Sequence, residues 1–148
     1  MEQRYSGVAT TNRWNKWIPK KSNIFMWRIF KGRLPIKTVL HRLGAIITDL
    51  KCSLCSQLDE SVDHIFLKCD SAQHLWCRLG YWWRTAIPDF QSLDNVWEWI
   101  EGFDNNKRTQ KILWVTVSAM LKALWDARND KIFNKNKKSS ERSSRNGV

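Results

Sequence analysis

The sequence predicts a mainly α-helical domain with an irregular, cysteine-containing insert and a long C-terminal helix. Apolar residues recur at helical spacing in several segments that are bounded by proline or glycine. No run of alternating apolar and polar residues indicates a strand, and no internal repeat is visible. The chain has 148 residues, ten of them tryptophan, which is enough apolar surface for a single core.

Two helices are predicted before the insert. The segment KKSNIFMWRIFKG follows Pro19 and ends at Gly32, and it is apolar on nearly every side. We therefore expect a short helix at the centre of the core. Pro35 suits the first turn of a second helix, and Gly44 suits the position just past its end.

A tryptophan-rich helix and a shorter one are predicted after the insert. Asp70 or Ser71 can cap a helix through SAQHLWCRLGYWW. Cys77 lies on this tryptophan-rich helix, and we expect its side chain in the core. The segment LDNVWEWIEGF predicts a shorter helix that is capped by Asp94 and ends near Gly102.

The last predicted helix runs from about Lys107 to Phe133. Its apolar stripe is broad, so we expect most of it to be covered. The predicted organisation is a flexible N-terminus at 1–12, one folded domain at 13–103, the C-terminal helix at 104–133 and a disordered basic tail at 134–148.

The formal charge of +11 is unevenly distributed along the chain. Nine Lys or Arg occur from Arg13 to Arg42 with no acid, whereas nine acids occur from Asp59 to Asp104. The chain becomes basic again beyond Lys107. This layout predicts that RNA or DNA would be drawn to the two ends rather than to the middle.

The sequence also indicates an intracellular protein, cytoplasmic or nuclear, that is not secreted. There is no apolar stretch after a basic start and no run of eighteen apolar residues, so neither a secretory signal nor a membrane partner is expected. In a reducing compartment, four cysteines are better interpreted as metal ligands or buried thiols than as disulfides.

The segment CSLCSQLDESVDHIFLKC predicts a metal site. Its ligand candidates are Cys52, Cys55, His64 and Cys69. A CxxC turn lets two thiolates converge on one ion, and a histidine and a third cysteine complete the tetrahedron that Zn²⁺ prefers. Four protein ligands leave no open position for water, so we expect one structural zinc ion.

The residues alone allow other interpretations of these cysteines and of the histidine. His74 also lies five residues from Cys69 and is the rival fourth ligand. A redox CxxC pair is disfavoured because no βαβ pattern surrounds it, and cysteines that serve only as buried hydrophobes seldom cluster with a histidine at this spacing.

The sequence does not indicate an enzyme or a small-molecule substrate. No nucleophile and base pair and no phosphate-cradling glycine loop is visible. The acids of the metal loop, Asp59, Glu60 and Asp63, are expected to tune or solvate the site rather than to catalyse a reaction.

Several motifs lie between about Trp14 and Trp83. Their residues are Trp17, Pro19, Lys20, Phe25, Trp27, Arg28, Arg33, Leu34, Pro35, Cys52, Cys55, Glu60, His64, Phe66, Cys69, Leu75 and Trp76. Together they resemble the reverse transcriptase zinc-binding domain of plant LINE-type (non-LTR) retrotransposon polyproteins, and WDARNDKIF resembles a stretch that follows in such polyproteins.

The resemblance implies His64 rather than His74 as a ligand, and a module that lies after the polymerase domain and binds nucleic acid. Polymerase, endonuclease and ribonuclease H motifs are absent from this sequence. An RNA-directed DNA polymerase would therefore be the parent polyprotein, and we expect this chain to be a detached fragment of such a retroelement.

Two functions follow as expectations. The first is a zinc-stabilised module that binds RNA or DNA through phosphate contacts with low sequence specificity. Trp14 or Trp17 could stack on unpaired bases. The second is a structural module that packs against the reverse transcriptase domain and has no nucleic-acid affinity. The basic candidates for the first are Lys16, Lys20, Lys21, Arg28, Lys31, Arg33, Lys37 and Arg42, with Lys135, Lys137 and Lys138 in the tail.

Overall fold

The computed structural model describes residues 18–145, with side chains from residue 18 to residue 134. The predicted flexible N-terminus, Trp14, Lys16 and Trp17 lie outside the described residues, as do the side chains of Lys135, Lys137 and Lys138. The described helices are α1 (Lys20–Phe30), α2 (Lys37–Arg42), α3 (Asp70–Trp83), α4 (Leu93–Glu101) and α5 (Lys107–Arg145), and a π-helical turn spans His64–Lys68.

The predicted fold class is confirmed. Residues 18–145 contain helices and no β-strand, apart from one isolated antiparallel bridge between Lys51 and Asp59. This bridge lies in the irregular insert that separates α2 from the π-helical turn.

Helix α1 is amphipathic rather than buried on all sides. Phe25, Met26, Ile29 and Phe30 are buried, but Ile24 is 40% and Trp27 is 42% exposed. The prediction of a central helix was wrong because an apolar sequence does not reveal how many sides of a helix find a partner. Only one side of α1 packs against the rest of the described chain.

Glycines end the first two helices as predicted. Gly32 has a φ of 63° and Gly44 a φ of 100°, a region that L side chains rarely adopt. At Gly32 the N–H of Gly32 bonds to the carbonyl of Ile29 and the N–H of Arg33 to that of Arg28, which is a Schellman motif. Each helix therefore ends two residues before its glycine. The chain then passes from α1 to α2 and from α2 into the insert.

The core is built around α5. The rings of Phe30, Trp97 and Trp114 join α1, α4 and α5, with centroid distances of 4.5 Å for Phe30–Trp97 and 4.4 Å for Trp97–Trp114. A second group joins α1, the π-helical turn and α5, in which Phe25 lies 6.2 Å from Phe66 and 6.3 Å from Trp125. Helix α5 thus shares one core with the segments before it.

Helix α5 extends to Arg145, beyond the predicted end at Phe133. This differs from the predicted disordered tail at 134–148, of which positions 146–148 lie outside the described residues. The reason is local, since NKNKKSSERSSR contains neither glycine nor proline to end a helix.

Cys77 is exposed, which corrects the prediction that it lies in the core. The buried residues of α3 are Ala72, Trp76, Leu79 and Gly80. They are spaced by four, three and one, so they form one side of the helix. Cys77 follows Trp76 directly and is rotated away from that side.

Candidate metal centre

A chain reversal brings the first two cysteines together. The Cys52 N–H donates to the carbonyl of Leu58 at 2.7 Å, and the Glu60 N–H donates to that of Leu50 at 2.8 Å. The Ser56 N–H closes the CxxC turn by bonding to the Cys52 carbonyl at 2.8 Å, and Ser56 itself has a φ of 58°. These backbone bonds fix the turn that presents Cys52 and Cys55 on one side.

The π-helical turn supplies the other two ligands. The Cys69 N–H donates to the His64 carbonyl at 2.7 Å, an i to i+5 bond that widens the helix by one residue. The spacing of five between these two ligands therefore corresponds to about one turn of π-helix. Both side chains then lie on the same side of the turn. The His64 N–H is held by the Ser61 hydroxyl at 3.0 Å.

The four ligand atoms form one compact group. The Cys52 and Cys69 sulfurs lie 4.0 Å apart, and the Cys55 sulfur lies 3.1 Å from His64 Nε2. All four atoms lie within 4.8 Å of one another. The edges of a tetrahedron with Zn–S bonds of about 2.3 Å measure about 3.8 Å, so the group can hold one zinc ion.

His64 rather than His74 completes the set, as predicted. The four clustered residues are Cys52, Cys55, His64 and Cys69, whereas His74 is exposed on α3. The ring nitrogen of His64 that faces the group is Nε2, since it is the one that lies 3.1 Å from the Cys55 sulfur.

The three thiols differ in pKa. Burial would raise the pKa of Cys55, but hydrogen bonds from the Gln57 backbone, the His64 side chain and the Leu58 backbone outweigh burial and lower this pKa to about 6. Burial raises the pKa of Cys69 to about 12 and also raises that of Cys52. Two of the three sulfurs thus keep their protons near neutral pH unless a cation displaces them.

Glu60 ties the metal loop to α5. Its side chain is fully buried, and it accepts hydrogen bonds from Arg128 Nε at 3.2 Å, from Arg128 Nη2 and from the Lys37 N–H at 3.0 Å. Arg128 is also buried and lies 4.6 Å above the Trp125 ring. The resemblance included Glu60 and WDARNDKIF separately, and the structure joins them as a buried ion pair.

The neighbouring acids serve structure rather than ligation. Asp63 is half-buried, and burial raises its pKa while the Leu93 N–H at the start of α4 lowers it. Asp59 is exposed beside the insert. Neither residue belongs to the metal-ligating group.

Seven of the predicted basic residues fall in the described part of the chain, in or near the first two helices. Lys20, Lys21, Arg28, Lys31, Arg33 and Arg42 are exposed on or beside α1 and α2, and Lys37 is half-buried. Arg33 lies 5.4 Å above the exposed ring of Trp27. Lys37 differs from the others because its Nζ donates to the Lys51 carbonyl at 2.8 Å.

Two functional features escaped sequence reasoning. Arg128 is the partner of Glu60, and Lys131 Nζ donates to the Leu54 carbonyl inside the CxxC turn at 3.1 Å. Both residues lie on α5, far from the insert in sequence. The WDARNDKIF resemblance was the available signal, but spacing alone could not pair it with Glu60.

A helical domain closed by one Cys3His group defines a class of protein with a structural zinc site. The family model for zinc-binding in reverse transcriptase matches residues 2–76, about half of the chain and all four ligands. The chain belongs to this family of reverse transcriptase zinc-binding domains. This is a zinc-binding domain and not a catalytic one.

No curated protein and no solved structure shows significant similarity to the chain. Among residues 18–145, no helix combines the length and the apolar character that crossing a bilayer requires.

Proposed function

We propose that the chain is a zinc-stabilised, non-catalytic module that binds RNA or DNA through phosphate contacts. The proposal is carried by membership of the family of reverse transcriptase zinc-binding domains, together with the run of exposed cations on α1, α2 and their connection. A reverse transcriptase handles nucleic acid, and a surface rich in Lys and Arg without nearby acids in sequence attracts its phosphates.

Exposed Trp27 supports the proposal from the described part of the chain. Its indole is 42% exposed and is flanked by Arg28 and Arg33. An exposed indole beside guanidinium groups is suited to stack on an unpaired base. Trp27 therefore joins Trp14 and Trp17, which lie outside the described residues, as a residue proposed to stack on bases.

The similarity to LINE-type polyproteins extends the proposal to origin. The motifs between Trp17 and Trp76 support a module that derives from a plant retroelement polyprotein and stands after its polymerase domain. Sequencing of the flanking genomic region tests this point. Polymerase motifs of the aromatic-x-Asp-Asp type upstream support such an origin, and their absence within several kilobases counts against it.

The binding experiment uses zinc-loaded full-length chain and fluorescein-labelled single-stranded RNA and DNA, with anisotropy measured over a range of salt. Binding is expected to weaken as salt rises. The slope of log K against log salt concentration should be about −0.7 per neutralised phosphate. In the variant Lys20→Gln/Lys21→Gln/Lys31→Gln, the magnitude of this slope should fall by about 2 because three phosphate contacts are lost. Arg78→Gln, an exposed control on α3, should leave it unchanged. No binding by the parent protein even at low salt would reject the proposal.

A second candidate function is docking to a protein, such as the reverse transcriptase domain, and one surface favours it. Tyr81 is 82% and Trp82 is 73% exposed at the end of α3, beside a groove of about 880 Å³ that Ile87 also lines. Exposed adjacent aromatic residues are common at protein interfaces. The apolar stripe of α5 does not support docking, since Leu113, Val117 and Leu121 are buried within the chain.

This second candidate has its own measurement. The double variant Tyr81→Ser/Trp82→Ser should lose binding to a separately expressed reverse transcriptase domain in isothermal titration, while its RNA affinity stays unchanged. Equal binding of the parent and the variant would eliminate this surface as a docking site.

A further inference from the structure

Three lysines from different parts of the chain converge beside the CxxC turn. Lys37 is the first residue of α2, Lys51 immediately precedes Cys52, and Lys131 lies on α5. They border a cavity of about 150 Å³, far more than one water molecule needs. We call it the lysine pocket, and its lining residues are Lys37, Asp49, Lys51, Cys52, Ser53, Ser56, Lys131 and Ile132.

Backbone carbonyls fix two of these ammonium groups. Lys37 Nζ donates to the Lys51 carbonyl at 2.8 Å, and Lys131 Nζ donates to the Leu54 carbonyl at 3.1 Å. Because an ammonium group has three N–H donors, each of these bonds uses only one of them. The tethers therefore hold the two positive groups beside the metal loop and remove much of the entropy that a free lysine loses when it binds an anion.

The charges of the pocket leave a positive surplus. Zinc with three thiolates and one neutral histidine has a net charge of one negative, and Asp49 adds a second. The three ammonium groups exceed these two negative charges by one. A single phosphodiester has one negative charge, so it would balance the pocket.

We propose that the lysine pocket binds one backbone phosphate of the nucleic acid. This inference rests on the proposed nucleic-acid-binding function and names a specific contact within it. The hydroxyls of Ser53 and Ser56 line the same cavity and can donate to phosphate oxygens beside the lysines. The contact puts nucleic acid against the metal loop, so zinc would shape the binding surface as well as close the fold.

Lys51→Gln is the test variant, because Lys37 and Lys131 also hold the metal loop. Lys107→Gln is the matched control, with the same charge change roughly 36 Å along α5 from Lys131. In anisotropy measurements with single-stranded RNA, Lys51→Gln should lower the salt slope by about 0.7 and weaken binding about 3- to 10-fold at low salt. Lys107→Gln should match the parent, and both variants should retain one equivalent of zinc.

The outcomes separate the inference from the proposed function. If the parent binds RNA and Lys51→Gln keeps its salt slope, the inference fails while the proposed function stands. If the parent binds no nucleic acid, both fail. A free anion is distinguished by titrating inorganic phosphate and following the Ser53 and Ser56 amide signals by NMR. Saturation by inorganic phosphate with an unchanged RNA slope in Lys51→Gln would overturn the assignment to nucleic acid.

Discussion

Glu60 and Arg128 show, at the scale of single residues, how a metal loop is attached to a helical core. The side chains are 0% and 6% exposed, so each charge depends on the other for compensation. Removing one partner leaves a buried charge without compensation, whereas replacing both can cost little. The lost free energy should therefore depend on whether the change is made singly or in both residues.

Arg128→Met is expected to lower the free energy of unfolding by about 3–5 kcal/mol, because it leaves the buried Glu60 carboxylate without a counter-charge. Denaturant unfolding monitored by tryptophan fluorescence measures this loss. The control is Lys122→Met, which breaks an exposed ion pair with Asp126 and should cost less than about 1 kcal/mol. Adding Glu60→Gln to Arg128→Met should recover part of the loss. Equal effects of Arg128→Met and Lys122→Met would contradict this account.

Removing one ligand should abolish the zinc site. Cys55→Ser is expected to reduce bound zinc from one equivalent to well below one, because serine at neutral pH offers no thiolate. Cys77→Ser is a matched control, since Cys77 is an exposed cysteine outside the ligand group. Metal analysis of protein purified without added zinc measures the bound zinc in both variants. Full zinc in Cys55→Ser would exclude this residue as a ligand.

Zinc uptake should release protons. In the metal-free protein near pH 7, Cys55 with a pKa of about 6 is already ionised, whereas the raised pKa values keep Cys52 and Cys69 protonated. Zinc must displace these two protons, so its affinity falls as pH falls, by about 100-fold per unit between pH 8 and pH 7. Isothermal titration in buffers of different ionisation enthalpy should count about two protons if the metal-free chain stays folded, and about three if chelation unfolds it, because unfolded cysteines titrate near their ordinary values. A count near zero would contradict this account.

At the scale of elements, α5 completes a domain that the family match covers only to residue 76. It supplies Trp114 and Trp125 to the two aromatic groups and Arg128 to the ion pair. The segment before it cannot bury its own apolar side without these rings. The folding unit is therefore longer than the matched segment.

Truncation tests this conclusion. A chain that ends at residue 106 should fail to fold, because it exposes the core and removes Arg128, the partner of Glu60. Its amide NMR signals should then show only narrow dispersion. A chain that ends at residue 134 should retain the parent's dispersion, since it keeps Trp114, Trp125 and Arg128, through which α5 joins the core. A dispersed spectrum from the shorter chain would refute the role given to α5.

At the scale of the whole molecule, the metal centre and the core are continuous. Ile65, Phe66 and Leu67 lie between two ligands and are at most 1% exposed, and the Trp76 indole N–H bonds to the Phe66 carbonyl at 2.8 Å. Losing zinc would release the turn that positions these three side chains. These contacts extend the influence of zinc from the insert to the core.

Chelation of zinc should therefore destabilise the whole domain. Structural zinc contributes ~10–16 kcal/mol in small finger peptides, comparable to the ~5–15 kcal/mol stability of a complete domain. On addition of a chelator, near-UV circular dichroism from buried Trp97 and Trp114 should disappear together with the far-UV signal. Restoring zinc should recover both. A change confined to the insert, with the tryptophan signals intact, would show that the core is independent.

Periodicity located most helices, since α4 ends at Gly102 and the first two helices stop at the predicted glycines. The zinc site was also predictable from the spacing and types of its residues, and the family resemblance selected His64 over His74 as the fourth ligand. The exposure of Trp27 and Cys77 was not, because a pattern identifies apolar residues without showing which of them find neighbours.

The sequence by itself determined the helical class, the Cys3His ligand set and the family, because these depend on local spacing and on side-chain chemistry. Only the tertiary structure decided that Glu60 pairs with Arg128 and that Lys37, Lys51 and Lys131 share one pocket. The physical reason is that such contacts join segments far apart in the chain. Their distances are set by how α5 packs against the metal loop, which no local pattern specifies.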